Sequence, residues 1–138
     1  TEDLEKRIAD LEDQLKRAVA DYRNLEKRAE EEKRETVNFA NKKLLLQLLP
    51  AFDTLLLAEK HVQDEGLKLS VKKVLEVLKD AGVQRIETEG QDFNPELMEC
   101  VDTETGEDNK VISEIRAGFA LFGKVLQPAQ VKVGKKEL

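Results

Sequence analysis

Apolar residues recur at coiled-coil spacing through the first third of the chain. Leu4, Leu11, Ala18, Leu25 and Phe39 share one seven-residue register, and Ile8, Leu15, Tyr22 and Ala29 share a second, four residues later. These are the d and a positions of a coiled coil. Neither Gly nor Pro falls between Thr1 and Lys43. The pattern therefore predicts a long helix over about residues 1–43, roughly 65 Å at 1.5 Å per residue. No later segment is long enough to fold back along it, so Leu11, Leu15, Tyr22 and Leu25 are expected to pair with a second copy. The seam is uneven, because Glu32 falls on d while Thr36 and Lys43 fall on a. In a parallel pair, g residues face e residues five positions on. Arg7 then meets Glu12 favourably, whereas Asp21 meets Glu26 and Arg28 meets Lys33 unfavourably. The pair should be loosest around residues 26–38.

The next stretch, KKLLLQLLPAFDTLLLAEK at 42–60, is long enough to span a membrane but carries Gln47, Pro50 and Asp53 at its centre. One charge there costs roughly 2.5–3.5 kcal/mol on insertion scales, so no membrane partner is expected. Leu45, Leu48, Leu49, Phe52, Leu55 and Leu56 instead form a wide helical stripe, which Pro50 either kinks or restarts. A second amphipathic helix follows, with Leu67, Val71, Val74, Leu75, Leu78 and Ala81 in phase and Gly82 placed to end it. Such a hairpin leaves one side uncovered. Two of them, one from each chain of a homodimer, make a four-helix bundle over residues 44–82. Its interface would draw on Leu45, Leu48, Leu49, Phe52, Leu56, Val71, Val74, Leu75 and Leu78.

After Gly82 the period changes to two. VQRIE, VISEI and VLQPAQVKV alternate, and Glu89-Gly90, Asn94-Pro95, Thr105-Gly106, Phe122-Gly123 and Val133-Gly134 mark turns. Residues 83–138 should form a small, mostly antiparallel β-domain whose marginal core leans on the helices. The class is α+β.

Charge and chemistry narrow the function. The 138 residues carry a net charge of −6, which argues against a nucleic-acid partner. The single cysteine, Cys100, fits a reducing cytoplasm and is expected to be buried. No apolar signal segment opens the chain, and Thr1 begins mid-pattern, so more chain is expected upstream. GFALFGKV at 118–125 satisfies GxxxxGK, but Val125 stands where a phosphate loop needs Ser or Thr, and Pro128 follows where a helix should start. No direct nucleotide binding is expected. The acidic segment DTETGEDN at 102–109, read as a loop, puts Gly106 one position early for a calcium loop, and Ser113 stands where the bidentate Glu belongs. His61, the only histidine, has no ligand neighbours and is expected to end the first bundle helix. Neither Ser70 nor Cys100 has a histidine nearby in sequence. No catalytic residue, metal or cofactor is expected. The residues alone describe a structural coiled-coil dimer or adaptor rather than an enzyme.

Five segments, in order, resemble the GrpE family of nucleotide-exchange factors. YRNLEKR resembles its NLxxR segment, and FANKKLLLQLLPAFDTL resembles its FAxxKxxxxLLPxxDxL core. EGLKLSVKKVLEVLKDAGV is similar to its second bundle helix, DFNPELMECV to the stretch after it, and GFALFGKVLQPAQVKV to its GYxLxxRxLRPAxVxV signature. The resemblance implies a parallel homodimer with a helical stalk, a four-helix bundle and β-wings. It implies binding to the ATPase domain of a DnaK-type chaperone, gripped by one wing and the stalk, with the nucleotide cleft held open. It places Gly118, Phe119, Leu121, Lys124, Val125, Pro128 and Val133 on the binding wing, Gly66 beside the bundle, and Arg28 on the stalk. Every second apolar member of the wing strands should face the wing core instead. Lys124 should face solvent and an acidic chaperone surface. Three positions depart from the family pattern: Lys124 and Gln127 stand in place of Arg, and Met98 in place of His.

The uneven seam makes the stalk melt first. Replacing Glu32 by Leu together with Thr36 by Ile should raise the first helical transition seen by circular dichroism. A single transition, unmoved by the change, contradicts the seam.

Overall fold

The computed structural model describes residues 1–137. The first of two units, residues 1–39, is a single helix, α1 (Glu2–Phe39). Glu2, Asp3 and Glu5 occupy its first turn, where carboxylates meet the positive end of the helix dipole. Its 38 residues extend about 57 Å. Among the described residues none in α1 is buried, and Leu4, Ile8, Leu11, Leu15, Tyr22 and Leu25 each remain more than half exposed. The apolar seam is present and stays exposed among the described residues.

The expected helix to Lys43 stops earlier, at Phe39, with Ala40 and Asn41 forming a turn. The second unit then opens with α2 (Lys42–His61). Pro50 neither ends nor restarts this helix but lies inside it. The missing proline N–H deprives the carbonyl of Leu46 on a face where both residues are exposed. The helix ends at His61, as its pattern predicts. Asp64 then caps α3 (Glu65–Asp80), its Oδ1 accepting from the N–H groups of Gly66 at 2.8 Å and Leu67 at 3.3 Å. At the other end Gly82 takes a left-handed φ of +92° and donates its N–H to the carbonyl of Lys79 at 3.0 Å. This is the glycine stop that the sequence predicts.

Six strands follow among the described residues: β1 (Val83–Arg85), β2 (Met98–Thr105), β3 (Val111–Arg116), β4 (Phe119–Leu121), β5 (Lys124–Gln127) and β6 (Ala129–Lys135). They form two three-stranded sheets, β1-β4-β5 and β2-β6-β3. The first is antiparallel throughout, and β3 pairs antiparallel with β6, whereas β2 runs parallel to β6. The expected antiparallel character holds with that one exception. Met98, Val111, Ala129, Val131 and Val133 form a core against which Phe93 and Leu97 pack. Two expectations fail at its edge. Residues 102–105 of the acidic stretch belong to β2 rather than to a loop, and Cys100 on that edge strand is exposed rather than buried. Only one neighbour, β6, covers β2, so Met98 alone among its residues is buried.

Bulges decide which residues of β3 face inward. Its pairing with β6 slips between Val111 and Ser113 and again between Glu114 and Arg116. Ile112 and Ile115 sit at these slips and are exposed, while Val111 and Glu114 turn inward. Glu114 is a carboxylate with only 8% of its surface exposed. Its Oε1 accepts from Arg85 Nη2 at 2.5 Å and its Oε2 from Thr88 Oγ1 at 2.6 Å. The backbone carbonyl of Glu114 itself accepts from Lys60 Nζ of α2 at 3.1 Å. A second tie joins Gln127 of β5 to α2: its Nε2 lies 3.1 Å from both Asp53 carboxylate oxygens and 2.9 Å from the carbonyl of Ala117. With α3 packed on β1, these bonds hold wing and helical hairpin together.

Removing Arg85 leaves a buried carboxylate with one partner. Arg85→Ala should cost about 2 kcal/mol in urea unfolding, and adding Glu114→Leu should recover part of it. An unchanged midpoint in the single variant contradicts this account of the junction.

Candidate partner-binding surface

The segment that resembles the family signature most closely folds into a hairpin. β4 and β5 pair antiparallel with Leu121 opposite Lys124, leaving Phe122 and Gly123 as a two-residue connection. Both are left-handed, with φ of 46° and 84°, as a type I′ turn requires. The GxxxxGK segment thus closes into β5, not into the helix that a phosphate loop feeds.

The nominated wing residues separate by burial. Lys124 is exposed at the start of β5, directly after the turn, while Val125 and Pro128 are half-buried beside it. Phe119, Leu121 and Val133 point inward, with Phe119 and Leu121 each 1% exposed. They shape the hairpin and the sheets behind it without offering side chains outward. Gly118 is also buried, where a Cβ would stand 2.9 Å from the Cα of Ala129. Its glycine is explained by this close approach of two backbones. Gly66 is different. It is exposed in the first turn of α3, and a Cβ there would meet only the Asp64 carboxylate, at 3.2 Å. Arg28 is exposed on α1.

The residues nominated for pairing between chains also separate. Leu11, Leu15, Tyr22 and Leu25 lie open on α1. Leu48 is exposed, and Phe52, Leu56, Val74 and Leu75 are half-buried. Leu45, Leu49, Val71 and Leu78 are already buried within one chain, Leu49 almost completely. Sequence reasoning treats these positions alike, because a helical stripe does not reveal which of its residues the rest of the same chain covers. It also missed two contacts. Gln127 and Asp53 meet although 74 positions apart, and the only hint was that both lie in family-like segments. Phe122 was read as a turn residue, with no signal for where its ring goes.

The arrangement defines an α+β protein with a long helix bearing an exposed apolar seam, a helical hairpin and a β-wing. The chain belongs to the GrpE family, whose model matches residues 1–135. It is 39% identical over 136 residues to Protein GrpE of Methanosphaera stadtmanae, covering 94% of this chain and 79% of that protein. It is 40% identical over 130 residues to Protein GrpE of Carboxydothermus hydrogenoformans, covering 88% and 67%. The Pseudomonas putida protein of the same name is 35% identical over 145 residues, covering 96% and 78%.

Proposed function

We propose that this protein is a nucleotide-exchange factor that binds the ATPase domain of a DnaK-type chaperone in the cytoplasm and promotes ADP release. Membership of the GrpE family over residues 1–135 is the observation that carries the reading. The factor needs no reactive group. It binds the open-cleft conformer of the chaperone more tightly than the closed one, and each tenfold preference shifts that equilibrium by about 1.4 kcal/mol. Among the described residues no three His, Cys, Asp or Glu side chains gather where a metal ion could sit, and no helix is long and apolar enough to cross a membrane.

Lys124 supplies the wing's charged contact, because it is exposed directly after the turn while Phe119, Leu121 and Val133 of the signature point inward. Gly66 leaves an exposed helix turn bare with only light crowding from its own chain, which suits close approach by a partner backbone. Arg28 adds a charge on the stalk. The protein acts as a homodimer, paired along the seam of α1 and through the uncovered side of the helical hairpin, because a surface helix with this much exposed Leu and Ile must be covered. The same seam would serve a passive coiled-coil adaptor. Release of fluorescent ADP from a DnaK-type chaperone separates the two: acceleration supports exchange, and binding with unchanged release supports the adaptor.

Lys124→Glu should weaken binding to the ATPase domain and slow release while leaving the melting temperature unchanged. Repulsion causes the loss, so added salt should restore part of the affinity in calorimetric titrations. Wild-type affinity at low salt would remove Lys124 from the contact.

Leu15→Asp tests pairing at a residue that its own chain leaves open. Sedimentation should show dissociation at concentrations where the parent protein is dimeric. A native-mass dimer for both proteins, with equal dissociation constants, places the pairing elsewhere. Leu49 is unsuitable, since a charge there disrupts the single chain first.

A further inference from the structure

We propose that Phe122 is a positioning residue: its ring clasps the tip of the β4–β5 hairpin onto the C-terminal glycine of α3 and so sets where Lys124 is presented. The first position of a type I′ turn favours Asn, Asp or Gly, because other side chains crowd the backbone in a left-handed conformation. Phe122 occupies that position at φ 46° with half of its surface exposed. It has no side-chain oxygen to bond locally as Asn does. Turn chemistry and burial both disfavour a phenylalanine here, so its contact must compensate.

That contact is with Gly82. A Cβ on residue 82 would stand 2.6 Å from both Cε atoms of the Phe122 ring, so the ring lies where a side chain would be. The N–H of Phe122 donates to the carbonyl of Gly82 at 2.9 Å. Gly82 is itself left-handed and closes α3 through its bond to Lys79. A glycine that the helix needs for its stop therefore also leaves the seat that the ring occupies. Lys124 is two residues beyond Phe122, on the strand that leaves the turn. Clasping the tip fixes the start of β5 relative to the helical hairpin.

The clasp is a matter of the fold, whereas its consequence for binding rests on the exchange reading above. Phe122→Asn separates ring from turn, because Asn-Gly is a favoured type I′ pair and keeps the hairpin. Amide hydrogen exchange at residue 122 should approach the rate of an unprotected amide, while Val131 and Val133 in the other sheet stay protected. A hairpin clasped about a tenth of the time should bind the ATPase domain about tenfold more weakly. Its maximal ADP-release rate at saturation should be unchanged, since the bound complex is the same. Phe122→Tyr keeps the ring and should restore both protection and affinity.

Unchanged protection at residue 122 in the Asn variant overturns the clasp. Faster amide exchange with wild-type affinity overturns the positioning role, as does a weaker affinity accompanied by loss of protection across both sheets. If the wild-type protein itself does not accelerate ADP release, the exchange reading falls instead. Residue-122 protection that depends on the ring then still upholds the clasp, and protection that ignores it overturns it.

Discussion

Glu114 is a carboxylate turned into the protein by two bulges, and the junction between helices and wing is organised around its needs. Burying a charge is tolerable only when donors replace the water it loses. Arg85 comes from the strand that continues α3, and Thr88 from just beyond it. Lys60 reaches the same stretch of β3 from the end of α2. One inward-facing residue thus draws the ends of both helices to a single strand. A β-domain of some fifty residues buries only a marginal core, and this polar junction supplements it.

On the proposed exchange reading, the protein works by fitting one conformer of its partner better than another, which needs contacts held at fixed separations. The bond between Gln127 and Asp53 and the seat of Phe122 on Gly82 lie at the two ends of β5 and its turn. Between them stands Lys124. The wing strands behind it turn Phe119 and Leu121 fully inward. α1 carries leucines that remain exposed, and the proposed homodimer would cover them.

Much of this organisation was legible in the amino-acid sequence. Heptad spacing and the absence of Gly and Pro define α1, because a long helix is a local structure whose apolar face repeats regularly. Asp64 and Gly82 bound α3 through capping geometry that involves only their neighbours in the chain. Phe122-Gly123 announces its turn for the same reason. Five segments in the right order were enough to identify the family, and with it the wing that carries Lys124.

Contacts between distant residues were decided by the tertiary structure. Whether Leu49 is buried within its own chain or left for a second one depends on what packs over α2, and the stripe reads the same in either case. The inward turn of Glu114 depends on bulges that slip β3 against β6, so simple alternation misassigns its neighbours Ile112 and Ile115. Cys100 is exposed because β2 has a neighbour on one side only. Phe122 finds its seat because the chain brings together residues forty positions apart. Local sequence determines dihedral angles, caps and periodicity, since these are settled within a few residues. Burial and pairing depend on which surfaces meet, and that is settled only when the whole chain packs.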